Sequence, residues 1–94
     1  MVWTTRAKND LREILSYVWV DNPAASRKLR SRIETSVKHL GAHPFSGRPG
    51  AIVGTREAVP HPSYRLVYQV TDDSVFILRI VHTSRQWPPV EDES

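Results

Sequence analysis

Five side chains in the second half of the sequence are of types that could cleave RNA without a metal ion. Such cleavage needs a base that activates the 2′-hydroxyl, a cation that holds the phosphate charge and an acid that protonates the leaving oxygen. The candidates are Arg56, His61, Arg65, His82 and Arg85. Either histidine could act as the base, and Arg65 and Arg85 could form the cationic clamp. The residue types therefore permit a metal-independent endoribonuclease.

The same side chains also have structural explanations. His82 ends a predicted strand, where a histidine more often packs or caps than catalyses. Arg65 falls among apolar residues, and a buried guanidinium without a partner is costly. It therefore needs a carboxylate, either from a binding partner or from within the chain, where Glu57 is the candidate. Arg85 could hold the end of the chain to the sheet.

No metal ion or cofactor is expected. His39 and His43 are four residues apart, as in some metal-binding helices. Gly41 between them is predicted to break the helix, and neither a cysteine nor an acidic ligand accompanies the pair. The sequence contains no cysteine at all, which is typical of a protein of the reducing cytoplasm.

Length and hydropathy predict one small domain over residues 1–94, with 88–94 as a flexible tail. A chain of this size buries only about 60–65% of its unfolded surface, so a partner that covers apolar surface would help it. The longest apolar run, Val75–Leu78, is far too short to cross a bilayer, and no membrane partner is expected.

The charge distribution suggests an acidic partner or nucleic acid. The net charge is +3, from 13 basic and 10 acidic residues. Three of the acids are Glu91, Asp92 and Glu93 in the tail, so the remaining seven acids leave the body of the protein at +6. Mild basicity that only aids solubility explains the charge equally well.

Two amphipathic helices are predicted after a short first strand at Val2 and Trp3. The first begins at Thr4 or Thr5, and the second runs from Pro23 to Leu40, with Asn22 as its N-cap and Gly41 as a left-handed C-terminal residue. Their apolar positions recur at helical spacing, at Ala7, Leu11, Ile14, Leu15 and Val18 and at Ala25, Leu29, Ile33, Val37 and Leu40. The short connection predicts an antiparallel helical hairpin.

The rest of the chain reads as a loop followed by strands. Residues 43–54 are rich in proline and glycine and show no period. A short strand is predicted at Thr55–Val59, and Pro60 and Pro62 place it at an edge or a break. Two apolar strands then flank a turn at Asp72-Asp73.

That turn fixes the register and the two faces of the final hairpin. The predicted pairs are Val70 with Val75, Tyr68 with Ile77, Val67 with Leu78 and Arg65 with Ile80. One face then carries Tyr64, Leu66, Tyr68, Val70, Val75, Ile77 and Val81, and the other, called here the outer sheet face, carries Arg65, Val67, Gln69, Phe76, Leu78, Ile80 and His82. The helices can cover only one face, so the apolar outer sheet face is predicted to dock a partner.

The order of short motifs resembles the ParE/RelE superfamily of bacterial toxins over roughly residues 2–87. The matching segments are residues 5–11 (TRAKNDL), 21–25 (DNPAA), 43–50 (HPFSGRPG), 54–57 (GTRE), 64–68 (YRLVY) and 82–87 (HTSRQW). Each alone is weak, and their shared order and compact spacing carry the likeness.

The resemblance implies an α+β fold with an N-terminal helical hairpin packed on a small, mainly antiparallel sheet. It also implies one of two activities. The RelE-like branch cuts mRNA on the ribosome and the ParE-like branch poisons DNA gyrase, and an antitoxin neutralises either. RelE-like enzymes carry a lysine- or arginine-rich set and often a tyrosine near the end of the chain. Here no tyrosine follows Tyr68, and no lysine lies in the loop or strand before Tyr64.

The sequence therefore favours a ParE-like toxin that inhibits DNA gyrase and has no catalytic residues of its own. Its expected partner is a ParD-type antitoxin, with operator DNA bound only indirectly through that antitoxin. The expected antitoxin contacts are Arg65, Val67, Phe76, Leu78 and Ile80. Two alternatives are a RelE-like mRNA endoribonuclease, which would use the five residues named first, and a non-toxic interaction module that serves only in operon repression.

Overall fold

The computed structural model describes residues 1–89, so the acidic end of the predicted tail lies outside the described residues. Two helices follow a short strand, and four strands follow the helices. The elements are β1 (Val2–Trp3), α1 (Thr5–Asp21), α2 (Pro23–Ala42), β2 (Arg48–Pro49), β3 (Arg56–His61), β4 (Tyr64–Val70) and β5 (Val75–His82).

Both helices begin at the predicted caps. The Thr4 hydroxyl oxygen accepts the N–H of Ala7 at 3.1 Å, and the same hydroxyl donates to the Ile77 carbonyl at 3.0 Å. One side chain thus starts α1 and ties it to β5. The Asn22 side chain accepts the N–H of Ala25 at 3.0 Å, and Pro23 occupies the first turn of α2, where its missing N–H costs nothing.

The prediction that Gly41 ends the second helix in a left-handed conformation is wrong. Helix α2 continues through Gly41 to Ala42 and closes with an ordinary helical bond from the His43 N–H to the His39 carbonyl at 2.8 Å. Gly54 is the residue with a positive φ among residues 1–89. A Cβ at Gly41 would lie 3.3 Å from the end of the Met1 side chain, which is 47% exposed and can move aside, so this contact does not require glycine.

The sheet has the order β1-β5-β4-β3-β2, with β1 parallel to β5 and every other pair antiparallel. The predicted α+β class and the mainly antiparallel sheet are therefore confirmed. Two details differ from expectation. The loop over 43–54 contains β2, and β3 extends through Pro60 to His61. Proline is tolerated there because β2 pairs only with Arg56 and Glu57, which leaves that edge of β3 open.

The core lies between the helical hairpin and one face of the sheet. The predicted apolar stripes of both helices face it, and the half-buried Trp3 packs against its edge. Its buried members are Ala7, Leu29, Ile33, Val37, Leu40, Tyr64, Leu66, Tyr68, Val75, Ile77 and Ile80.

The β4–β5 register is right near the turn and wrong beyond it. Val70 pairs with Val75 and Tyr68 with Ile77, as predicted. The register then shifts at Leu78, so that Val67 pairs with Arg79 instead of Leu78, and Arg65 with Val81 instead of Ile80. Directly paired residues share a face. Ile80 and His82 therefore lie on the helix-covered face and Val81 on the outer sheet face, opposite to the prediction.

A carboxylate of α1 stabilises this irregular stretch. Asp10 Oδ2 accepts the Ile80 N–H at 3.0 Å and the Arg79 Nε–H at 2.8 Å. The Asp10 side chain is largely buried, so both bonds lie in a low-dielectric setting. Because β1 pairs only with Phe76 and Ile77, the acid takes the place of a neighbouring strand at this edge.

Candidate functional site

The outer sheet face is organised around a buried carboxylate. The Glu57 side chain is only 3% exposed, and its Oε1 accepts a hydrogen bond from Arg65 Nη1 at 3.2 Å. Its Oε2 accepts the N–H of Ala51 at 3.0 Å, and the exposed Arg48 guanidinium lies 3.8 Å from Oε1. The network joins β2, β3, β4 and the loop between β2 and β3.

Arg65 is consequently bound within the chain, by the carboxylate that sequence reasoning had suggested. Its Nη2 also donates to the Thr83 carbonyl at 3.5 Å, and its Nε is buried with no partner among residues 1–89. The side chain is 19% exposed. A phosphate at this position would have to compete with Glu57 for the guanidinium.

His61 and His82 lie on either side of Tyr64. The ring centroids of His61 and Tyr64 are 5.8 Å apart, and those of Tyr64 and His82 are 5.2 Å apart. Each histidine Nδ1 accepts the backbone N–H two residues further on, from Ser63 and from Ser84, both at 3.0 Å. A neutral ring that accepts at Nδ1 carries its proton on Nε2. The Nδ1 atom of each ring is therefore engaged within its own turn, and the Ser84 hydroxyl oxygen also lies 2.6 Å from the His82 Nδ1.

The two remaining arginine candidates have different surroundings. Arg56 donates to the Gly47 carbonyl at 3.3 Å, and its guanidinium lies 5.1 Å from the Phe45 ring centroid. Arg85 follows β5, is exposed, and makes no salt bridge among residues 1–89. No one network holds the five candidates, because Arg65, the two histidines beside Tyr64, and Arg56 belong to three different ones, and Arg85 belongs to none of these.

A cleft that the sequence did not indicate lies between α1 and the segment after β5, with a volume of 830 Å³. His82 and Arg85 are the two candidate catalytic residues that line it. The other lining residues are Arg6, Asn9, Asp10, Glu13, Ile14, Tyr17, Tyr64, Arg79, Ile80, Val81, Ser84, Gln86, Trp87 and Pro89. The sequence held one signal of this cleft, because Tyr17 is an aromatic residue outside the apolar stripe of α1. In the structure its side chain is 78% exposed.

The Asp10–Arg79 pair also builds this cleft. The Arg79 guanidinium lies 5.2 Å from the Trp87 ring centroid, within range for a cation–π contact. Trp87 is half-buried, and its indole N–H has no partner within the described part of the chain. The pair spans 69 positions in sequence, so no local pattern could reveal it.

The predicted antitoxin contacts differ in how accessible they are. Phe76 and Leu78 are half-buried, whereas Val67 is fully buried and Ile80 is 3% exposed. A partner can reach Phe76 and Leu78 in this conformation, but Val67 and Ile80 only after rearrangement. Apolar side chains with a greater exposed fraction lie at other positions, at Tyr17, Trp19, Val20, Phe45, Val53 and Val59.

Helix α2 is not broken at Gly41, and the ring centroids of His39 and His43 lie 4.8 Å apart at its end. No group of three or more potential ligands that could hold a metal ion is found among residues 1–89. Within the same range, no helix is long and apolar enough to cross a membrane.

Known proteins are similar to this chain in fold or in sequence. A solved structure described as the chromosomal ParDE TA system from P. aeruginosa matches with a TM-score of 0.76 and 28% identity, covering 85% of this chain and 90% of that one. A protein of Sinorhizobium fredii, provisionally named toxin Y4kP, is 43% identical over 94% of this chain and 92% of its own length. Toxin RelE2 of Caulobacter vibrioides is 38% identical over 90% of this chain and 96% of its own length.

The fold and these relatives define the class of protein, a toxin of the type II toxin–antitoxin kind. Residues 1–87 match the family described as ParE toxin of type II toxin-antitoxin system, parDE. The chain belongs to that ParE toxin family.

The Glu57–Arg65 pair should be strongly coupled. We expect Glu57→Gln and Arg65→Met each to lower the free energy of unfolding by about 2–4 kcal/mol, because each leaves a mostly buried polar group poorly compensated. The double variant should lose less than the sum, with a coupling energy of about 1–3 kcal/mol in urea denaturation. Strictly additive losses would show that the two groups do not act as a pair.

Proposed function

We propose that this toxin acts on DNA gyrase without cleaving RNA, and that a ParD-type antitoxin neutralises it. The observation that carries the proposal is the state of Arg65, whose guanidinium is held by Glu57 inside the fold. The membership of the ParE family and the likeness to a ParDE structure support the same proposal. Gyrase is an enzyme of the cytoplasm, so the toxin would act there.

The chemistry of the remaining candidates supports a non-enzymatic action. General base catalysis needs an unprotonated nitrogen within reach of the hydroxyl that it activates. In His61 and His82 the Nδ1 atom accepts a backbone N–H from two residues further on, and at His82 the Ser84 hydroxyl lies on the same atom. Arg56 is tied to Gly47 and Phe45. Inhibition by binding needs none of these groups to be free.

An antitoxin would dock on the outer sheet face, as the sequence predicted. Phe76 and Leu78 are its accessible apolar contacts there, next to the partly exposed Arg65. A partner carboxylate could approach the 19% of the Arg65 side chain that is exposed, but not its buried Nε. Acidic side chains on the antitoxin would be steered by the basic body of the toxin, which favours fast association.

One arrangement keeps a RelE-like ribonuclease as the second candidate. His82 and Arg85 share the cleft beside α1, with Tyr64 between His61 and His82. A substrate that displaced the backbone N–H from Nδ1 would free a base next to a cation. The name of the similar protein, toxin RelE2, agrees with this alternative.

Replacing both histidines separates the two candidates. We expect a His61→Gln/His82→Gln variant to arrest growth of an antitoxin-free host as strongly as the parent chain, because neither ring acts in the proposed mechanism. Growth after induction, thermal unfolding and the integrity of cellular mRNA should be measured together. Loss of growth arrest in a variant that still folds, with mRNA cleavage by the parent chain alone, would establish the ribonuclease.

A charge placed on the outer sheet face should block the antitoxin. We expect Leu78→Glu to weaken binding to the cognate antitoxin by about 30-fold or more, equivalent to about 2 kcal/mol, because it buries a carboxylate in the interface. Val20→Glu is the control, since Val20 is an apolar residue of α1 that is 81% exposed and lies away from the outer sheet face. Calorimetric titration of both folded variants with the antitoxin measures the two affinities. Equal affinities would place the interface elsewhere.

A further inference from the structure

Helix α2 concentrates the positive charge of the protein. It carries five cations, at Arg27, Lys28, Arg30, Arg32 and Lys38, and one acid, Glu34, so its net charge is +4. The whole chain is only +3, which leaves the other 74 residues at −1. That −1 includes the three acids of the tail, and without them the rest of the body is at +2. Helix α2 thus carries four of the six net positive charges of the body on 20 residues.

Four of the five cations of α2 form one continuous face. At about 100° per residue, Arg27, Lys28, Arg32 and Lys38 fall within an arc of about 140° opposite the buried stripe. All four are exposed. Glu34 is occupied by Arg30 at 3.0 Å, and none of the four makes a salt bridge within residues 1–89. Their charge is therefore available to a ligand.

The residues between the cations indicate which ligand fits. Ser31, Thr35 and His39 share the exposed arc, and hydroxyl groups beside arginine and lysine are the usual contacts to phosphate. The larger apolar residues of α2, Leu29, Ile33, Val37 and Leu40, are all buried in the core. Trp19 of α1, which is 50% exposed, lies against Arg27 at one edge of the face, with the ring centroid 5.5 Å from the guanidinium. An acidic protein would thus find charge along the face but an apolar anchor only at that edge.

The shape of the face favours duplex DNA over single-stranded nucleic acid. Helix α2 contains no Phe, Tyr or Trp on which unpaired bases could stack. Its 20 residues form a convex rod about 30 Å long, close to the length of one turn of B-DNA, about 34 Å. Cations along such a rod can follow the phosphates that border a groove.

We propose that the outer face of α2 binds the phosphate backbone of duplex DNA directly, without sequence specificity. The toxin would then add phosphate contacts of its own wherever it is brought to DNA, whether by an antitoxin on an operator or by a DNA-bound target. The expectation from the sequence, that the toxin meets operator DNA only through the antitoxin, would then be incomplete. The inference does not rest on the identity of the target, because the face lies on the helix and not on the sheet or in the cleft.

The test is fluorescence anisotropy of the full chain with a labelled duplex of about 24 base pairs, roughly two helical turns, at several salt concentrations. We expect Lys28→Gln/Arg32→Gln to weaken binding at least about tenfold at about 50 mM salt and to flatten the log–log salt dependence by about 1.8. Lys8→Gln/Arg12→Gln on α1 is the matched control, because these two residues have the same spacing of four and make no salt bridge among residues 1–89. It also removes one lysine and one arginine from exposed positions, and should bind within about twofold of the parent chain.

Each other outcome overturns the proposal. Equal losses in the two double variants would show that only net charge matters. Absence of duplex binding by a folded parent chain would leave the face without this ligand. Tighter binding of an acidic peptide or of single-stranded RNA than of the duplex would assign the face to that class instead. Thermal unfolding should be measured on both variants, and surface changes of this kind should shift stability by no more than about 0.5 kcal/mol. Gyrase and antitoxin are absent from the assay, so its result is independent of the proposed function.

Discussion

The buried Glu57 carboxylate is the constraint on which the outer side of the sheet depends. A charge that is 3% exposed must be compensated, and the compensation comes from Arg65 on β4 and from the Ala51 N–H in the loop. Because these partners belong to different segments, one acid fixes the loop against the sheet. The same contact occupies the arginine that a ribonuclease would need for its substrate.

Asp10 plays the corresponding part on the other side of the molecule. It joins α1 to β5 where the register shifts, and it holds Arg79 against Trp87. The cleft and the position of His82 both follow from this shift, because the extra residue at Leu78 turns the end of β5 over. Glu57 and Asp10 thus bind Arg65 and Arg79 within the fold.

The parts of the fold that were predictable from sequence are those with local causes. The caps at Thr4 and Asn22 lie within three residues of the N–H groups they bind, and the turn at Asp72-Asp73 sets the pairs beside it. The register shift was not predictable, because it depends on Asp10, 70 positions away from Ile80. Of the site, the Arg65–Glu57 pair was foreseen, since a buried arginine needs an acid. The cleft was not, because it forms only where distant segments meet.

The central claim is that this ParE-family toxin inhibits by binding to DNA gyrase. Its most direct test is a supercoiling assay with purified gyrase and antitoxin-free toxin, run beside mRNA cleavage on translating ribosomes with the same preparation. The account predicts dose-dependent loss of supercoiling, reversed by the antitoxin, with the mRNA intact. Normal supercoiling together with cleaved mRNA would contradict it and would assign His82 and Arg85 to catalysis.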